Sequence, residues 1–198
     1  MTHKGLPSEL ILASSSVYRQ RLLERLGQPF KIVTPAVDEA TQPGESALSL
    51  SQRLSREKAQ AIPTKSADPL VIGADQVAAC DNRLLGKPGS AAGAVEQLLF
   101  CAGKHVVFFT SVAFWRPAQN QLFEATETVE VSMRALQLPE IEAYVAKDKP
   151  LDCAGSFKAE SLGIALFRAV KSQDPTALEG LPLITVSAML RDVGYAIP

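Results

Sequence analysis

Apolar positions along this chain fall into two kinds of run, and their alternation sets the expected architecture. "LILA" at residues 10–13 is short and continuous, as in a strand covered on both faces, and Leu22, Leu23 and Leu26 then recur at helical spacing until Gly27 and Pro29 end the pattern. Phe30 to Val33 reads as a second strand. After the turn residues "QPGES", a second helix begins around Ala47, carries Leu50 and Leu54, and stops before Pro63. "LVIGADQVAAC", residues 70–80, is a long apolar run broken by one acid, which suits a strand buried on both sides. A helix is expected over Ser90–Ala102. Two β-rich runs, His105–Trp115 and Leu122–Met133, flank the turn "RPAQNQ" and read as a hairpin. "LPEIEAYVAKDKP" and "LPLITVSAMLRD" supply the last two helices, the former with Pro139 in its first turn and the latter with Leu183, Val186 and Leu190 as its buried side.

This alternation is α/β, with an antiparallel portion in the second half. Gly, Pro and Ser are scattered and not gathered into a linker, so residues 1–198 are expected to form a single domain with two lobes around a central cleft. The charge balance narrows the partners. Lys plus Arg is 20 and Asp plus Glu is 21, so no global field favours nucleic acid or an acidic membrane. The opening "MTHKGLPSEL" has no apolar signal core, and no run approaches a membrane span, which points to a soluble, cytoplasmic protein. Cys80, Cys101 and Cys153 fit neither a zinc site nor a disulfide frame and read as small buried residues. His105, alone in a β-rich run, reads as a buried structural histidine.

Candidate chemistry collects where strands end. "ASSSVYRQR" puts Ser14, Ser16 and Arg19 at a strand-to-helix junction, where free N–H groups, hydroxyls and a guanidinium can hold an anion; a plain N-cap with solvated arginines is the alternative. The stretch lacks a Walker pattern, and no dinucleotide-binding glycine signature occurs. Lys58 shares the i, i+4 stripe of Leu50 and Leu54, so its ammonium either snorkels to water or enters a polar site. Lys87 sits in the tight turn "GKPG". Asp75 interrupts an apolar strand, the position of a metal-binding acid or general base at a sheet's carboxyl edge, and Glu39 follows another expected strand. Lys158 and Glu160 lie between Gly155 and Gly163 in "CAGSFKAESLG".

In order along the chain, "ASSSVYRQRLL", "VDE", "REKA", "GADQV", "GKP" and "CAGSFKAESLG" resemble the blocks of the Maf family of nucleotide pyrophosphatases, whose opening runs A-S-x-S-P-R-R. The resemblance spans Leu10 to about Leu190. It implies an elongated mixed sheet with helices, related in architecture to the inosine triphosphate pyrophosphatases, frequently a homodimer. It also implies hydrolysis of a nucleoside triphosphate to monophosphate and pyrophosphate with a divalent cation, Mg or Mn. On that basis Ser14, Ser16 and Arg19 hold the triphosphate, and Lys58, Lys87 and, less directly, Lys158 neutralise the departing pyrophosphate. Asp75 accepts a proton from water, directly or while organising the metal, and Glu39 orients that water or ligates the metal, which makes the two acids the candidate metal ligands. Three departures from the family pattern, Val17, Tyr18 and Gln76, together with Glu160, resemble the branch acting on 7-methyl-GTP. Tyr18 offers an aromatic face to a cationic ring, and Gln76 and Glu160 offer hydrogen bonds to a guanine edge. A dTTP/UTP or broad-range pyrophosphatase and a nucleotide-binding regulator of cell division are the competing readings.

Overall fold

The computed structural model describes residues 5–198, so the first four residues of the opening segment read above lie outside it. The described residues form seven strands and five α-helices: β1 (Glu9–Ala13), α1 (Val17–Glu24), β2 (Lys31–Val33), α2 (Ala47–Gln60), β3 (Pro69–Cys80), β4 (Arg83–Leu85), α3 (Ala91–Cys101), β5 (His105–Arg116), β6 (Gln121–Met133), α4 (Leu138–Asp148), β7 (Phe167–Lys171) and α5 (Leu183–Asp192). The strands follow the order β2-β1-β3-β5-β6-β7, with β4 paired on β3. Pairing is parallel for β1 with β2 and with β3, and antiparallel for β3 with β4 and β6 with β7. β5 and β6 are neighbours separated only by residues 117–120, a connection too short for a parallel crossover, so they form the expected hairpin. The fold is α/β with a mixed sheet. No helix of the described residues is long and apolar enough to cross a membrane.

Two compact units partition the chain, and neither is continuous in sequence. The first combines residues 5–75, Thr110–Glu127 and Asp174–Pro198; the second combines Gln76–Phe109 and Thr128–Gln173. Strands β3, β5 and β6 are long enough to give residues to both.

In the first unit, strand alternation sorts the core onto two faces. Leu10, Leu12, Leu70, Ile72, Ala74, Val112 and Phe114 pack with Leu22 and Leu23 of α1 and Val186 and Leu190 of α5. On the other face, Ile11, Ala13, Val71 and Ala113 meet Ala59 of α2 and Ile62 just beyond it. α2 reaches that face through small side chains. A Cβ on Gly73 of β3 would stand 2.1 Å from the Ser55 carbonyl oxygen and 2.5 Å from the Ala59 nitrogen, so the helix backbone rests directly on a glycine. Ser51 adds a 2.8 Å hydroxyl bond to Ser111 of β5, which in turn lies 2.8 Å from the Thr126 hydroxyl of β6.

In the second unit, α3 packs on α4 and an aromatic series orders the loop after α4. Phe157 stands edge-on to Phe108 at 5.4 Å and to Phe167 at 4.7 Å between centroids. Gly155 takes φ +78 beneath the Phe108 ring, where a Cβ would come within 3.1 Å of it. Two short strands went unread in the sequence: β4 has only three residues, and β7 is an exposed edge whose burial does not alternate. His105 corrects the expectation of a buried histidine. It opens β5 with its side chain 64% exposed, beside Glu130 and Ser132. Being the first residue of its strand, it escapes the burial that covers most of the run behind it.

Gly73→Ala is expected to lower stability by about 2–3 kcal/mol or more, the upper end of overpacking costs, because helix backbone and not a flexible side chain must move. Urea unfolding should show a reduced midpoint with an unchanged slope.

Candidate active site

The parallel register of β1 and β3 matches Ala13 with Gly73, after which both chains leave their pairing. Ser14 follows Ala13 directly. Asp75 follows Gly73 by two residues and therefore points to the same face, the one α2 covers. Asp75 thus lies in the middle of β3, not at its carboxyl end as the sequence suggested, and what it marks is the end of β1's pairing. On α2, Lys58 adjoins the Ala59 that rests on Gly73, which puts its ammonium against Asp75: Nζ donates to Oδ1 at 2.7 Å. The same Nζ lies 2.6 Å from Glu39 Oε1. Lys58 and Asp75 are each 6% exposed, whereas the Glu39 side chain is 57% exposed. The expected alternative of a snorkelling lysine does not occur.

The loop bearing Glu39 is clamped to α2 by Arg53. Its guanidinium donates to Glu45 at 2.7 and 2.9 Å, to Glu57 at 3.0 Å and to the Ala40 carbonyl at 2.9 Å. These bonds hold the Glu45 carboxyl down at about 2. Ala40 is the residue after Glu39, so the clamp fixes the backbone from which that acid projects.

Burial dominates the electrostatics of Asp75. Desolvation pushes its carboxyl above the ordinary aspartate range, against the pull of Lys58 and Arg19, while the neighbouring Glu39 pushes it further. Arg19 is half-buried, and burial lowers its own affinity for a proton, opposed by the fields of Asp75 and Glu39. Its guanidinium remains a cation at working pH. Lys58, Arg19, Asp75 and Glu39 therefore form one mutually interacting set of two cations and two acids.

At the serine-rich junction the structure shows the N-cap of the two readings made of it. Ser16 is the N-cap of α1, its hydroxyl accepting from the Arg19 N–H at 3.4 Å, and Ser14, nearly fully buried, accepts from the Ser16 N–H at 3.1 Å. Tyr18, in the first turn, is half-buried. Arg19 Nε donates to the Gly180 carbonyl at 2.9 Å, a partner that the sequence reading missed.

The remaining candidates belong to the second unit. Gln76 follows Asp75 on β3 and is half-buried; Lys87 is exposed in the loop after β4; Glu160 is exposed. The Lys158 ammonium donates to the Asp148 carbonyl at 3.0 Å, at the end of α4, and its backbone N–H donates to the Tyr144 hydroxyl at 3.1 Å. This is the bonding of a helix-end cap, which the sequence reading did not foresee for Lys158. Gln97 of α3, also missed, joins the two loops concerned: its Nε2 donates to the Gly86 carbonyl at 3.2 Å and its Oε1 accepts from Ser156 at 2.6 Å.

Among the described residues no group of three or more His, Cys, Asp or Glu could cage a metal. Asp75 and Glu39 nevertheless suit a magnesium-type site, which needs only one or two carboxylates when substrate phosphates complete the shell. Both present an oxygen to the same cation, here the Lys58 ammonium.

Residues 9–193 match the Maf-like protein family. The chain belongs to the Maf family. Its similarity to curated Maf relatives is close to full length on both sides. A protein of Xanthomonas axonopodis pv. citri named 7-methyl-GTP pyrophosphatase is 50% identical over 96% of this chain and 98% of its own. Proteins of the same name from Pseudomonas aeruginosa and Aromatoleum aromaticum are each 46% identical over 96% of this chain and 99% and 98% of theirs. For a Maf chain, the ordered blocks read from the sequence and the acid–lysine cluster fall on the same residues.

Lys58→Met is expected to cost about 3–5 kcal/mol, because it strands a buried carboxylate beside a second acid. Adding Asp75→Asn should restore a substantial part of that loss, measured by denaturant unfolding of both variants. A fully additive pair would mean the ion pair does not couple the two residues.

Proposed function

We propose that this Maf protein hydrolyses 7-methyl-GTP to 7-methyl-GMP and pyrophosphate, cleaving the α–β phosphoanhydride and clearing modified nucleotide. One observation carries the reading: a buried Lys58 bridges Asp75 and Glu39 beside Arg19 and the serine-capped start of α1. The names of relatives at 46–50% identity support the substrate.

Asp75 is the general base. An ordinary aspartate, with a pKa of ~3.9, accepts a proton weakly at neutral pH, and the upward push from burial improves it. The attacking water gives its proton to the Asp75 carboxylate as its oxygen bonds to phosphorus, and the anhydride oxygen leaves with pyrophosphate. Lys58 holds both acids close; two of its three N–H donors face them, and the third serves a phosphate oxygen. Ser14, Ser16 and Arg19 receive the triphosphate at the α1 N-terminus. Lys87 meets the charge that develops on pyrophosphate, and Lys158 contributes through the loop it caps. Asp75 and Glu39 would hold Mg or Mn together with the phosphates. When bound, that cation supplies charge neutralisation and a more acidic water.

Tyr18, Gln76 and Glu160 are assigned to base selection. N7-methylation makes guanine a cation, which an aromatic face and a carboxylate both favour, and the N1–H and N2–H donors of guanine match a carboxylate. We assign the protein to the cytoplasm, as a homodimer acting on free nucleotide and not on nucleic acid or membrane, in keeping with its net charge of −1.

The test is simultaneous measurement of monophosphate and pyrophosphate from 7-methyl-GTP, GTP, dTTP, UTP and CTP with Mg or Mn. Preference for 7-methyl-GTP is expected; preference for dTTP or UTP would keep the reaction and discard the base assignment. Nucleotide binding without turnover would indicate a regulator. Asp75→Asn should abolish turnover while nucleotide still binds. Tyr18→Ala should lose about 2- to 30-fold more activity on 7-methyl-GTP than on GTP, the range of a cation–π contact of about 0.5–2 kcal/mol. Because only ionised Asp75 acts as base, kcat/KM should fall as pH drops through a midpoint above ~3.9, and a midpoint at or below that value would remove Asp75 from the role.

A further inference from the structure

A buried polar knot lies behind Arg19, built from residues that no motif of the sequence reading covers. Asp174 is 1% exposed and precedes a 3-10 turn over Pro175–Glu179. Its Oδ1 accepts from the Thr176 N–H at 3.0 Å, and its Oδ2 accepts from the Ile184 N–H, in the first turn of α5, at 2.7 Å. One carboxylate therefore caps both the short turn and the helix that follows. The Thr176 hydroxyl accepts from the Leu183 N–H at 2.8 Å and lies 2.7 Å from Asp174 Oδ1 and 2.9 Å from the Leu181 carbonyl oxygen, giving its single proton to one of them at a time. The Ala177 carbonyl accepts from the buried Thr110 hydroxyl of β5 at 2.8 Å.

Every one of these bonds pins the backbone on either side of Gly180. That residue ends the turn at φ +111, a conformation suited to glycine, and its N–H donates to the Ala177 carbonyl at 3.1 Å. Its own carbonyl points at Arg19 and accepts the Nε–H. A guanidinium is a planar fork, so fixing Nε fixes the plane in which both terminal nitrogens present their N–H groups. A stripe of buried bonds reaching from Asp174 to a glycine carbonyl is more than closure of a surface loop requires.

We propose that Thr176 and Asp174 are positioning residues for Arg19: by immobilising the Gly180 carbonyl they hold the guanidinium in the orientation that grips the triphosphate. This deepens the phosphate-binding part of the proposed function and rests on it, but it is independent of which base the nucleotide carries.

The test is a double-mutant cycle between Thr176→Val, which keeps the shape and removes the hydroxyl, and Arg19→Lys, which keeps the charge and removes the fork. Two readouts are taken: kcat/KM for 7-methyl-GTP and the affinity for inorganic triphosphate by calorimetry. Thr176→Val is expected to weaken triphosphate binding and kcat/KM by about tenfold, within the cost of a misplaced binding group, with the loss mainly in KM. Thr176→Ser should restore both. In the Arg19→Lys background Thr176→Val should cost little more, because the orientation is already gone. An equal loss in both backgrounds would show a general structural effect and overturn the proposal. NMR of the arginine Nε–H signals, assigned through Arg19→Lys, should show the Arg19 proton protected from exchange in the parent and exposed in Thr176→Val. If Thr176→Val does not fold, Gly180→Ala perturbs the same carbonyl, and an unchanged Arg19 signal and triphosphate affinity in that variant would overturn the proposal. Loss of the nucleotide reading leaves the triphosphate cycle intact: no turnover of any nucleotide with a non-additive cycle supports the positioning role alone, and absence of triphosphate binding by the parent protein overturns it.

Discussion

Burying an ammonium between two carboxylates is the constraint around which the first unit is organised. An isolated charge at the depth of Lys58 or Asp75 would neutralise rather than stay ionised, so each requires the other at contact distance. That distance depends on Gly73. Any side chain there would lift α2 from β3, and Lys58 sits on the turn of α2 that touches it. The small residues Ser51, Ser55 and Ala59 on the helix and the glycine on the strand are thus as much part of the site as the charges they bring together. Arg53, holding the Ala40 carbonyl and Glu45, extends the same economy to the loop that supplies Glu39.

Such an arrangement also explains how one aspartate can be both paired and basic. Pairing alone would depress its proton affinity and leave a poor base; burial alone would make it neutral. The balance here falls on the side of burial, with Arg19 and Lys58 restraining it.

Much of the fold was legible because its signals are local. The helical spacing of Leu22, Leu23 and Leu26, the helix after Ser90 and the continuous run of β3 each depend on near neighbours in sequence. β4 and β7 were not legible, since a three-residue strand and an exposed edge carry no period. His105 misled for a related reason: its run is apolar, but strand ends are not buried as strand middles are. At the site, Lys58 stood out as a charge on an apolar stripe, and Asp75 as an acid in an apolar run. What could not be read was the commitment of each side chain. Nothing near Lys158 in sequence shows that it caps α4, and nothing near Arg19 announces Gly180. The signature "DPTALEG", an Asx-type start with proline at the first turn and glycine at the end, does mark a capped turn, and it was the available clue to the knot.

The bond from Arg19 to Gly180 joins residues 161 positions apart. During synthesis α1 can form early, yet its arginine has no carbonyl to hold it until the distant segment has emerged from the ribosome and docked. Closing so long a loop is among the slower steps open to a chain of this topology. A nascent or truncated chain that stops short of Gly180 can carry the acids, the lysines and the serine cap and still lack the carbonyl that holds the Arg19 Nε–H. Completion of the chain is therefore what ties the start of α1 to the turn before α5, so that the placing of the Arg19 side chain arrives together with the last tertiary contacts.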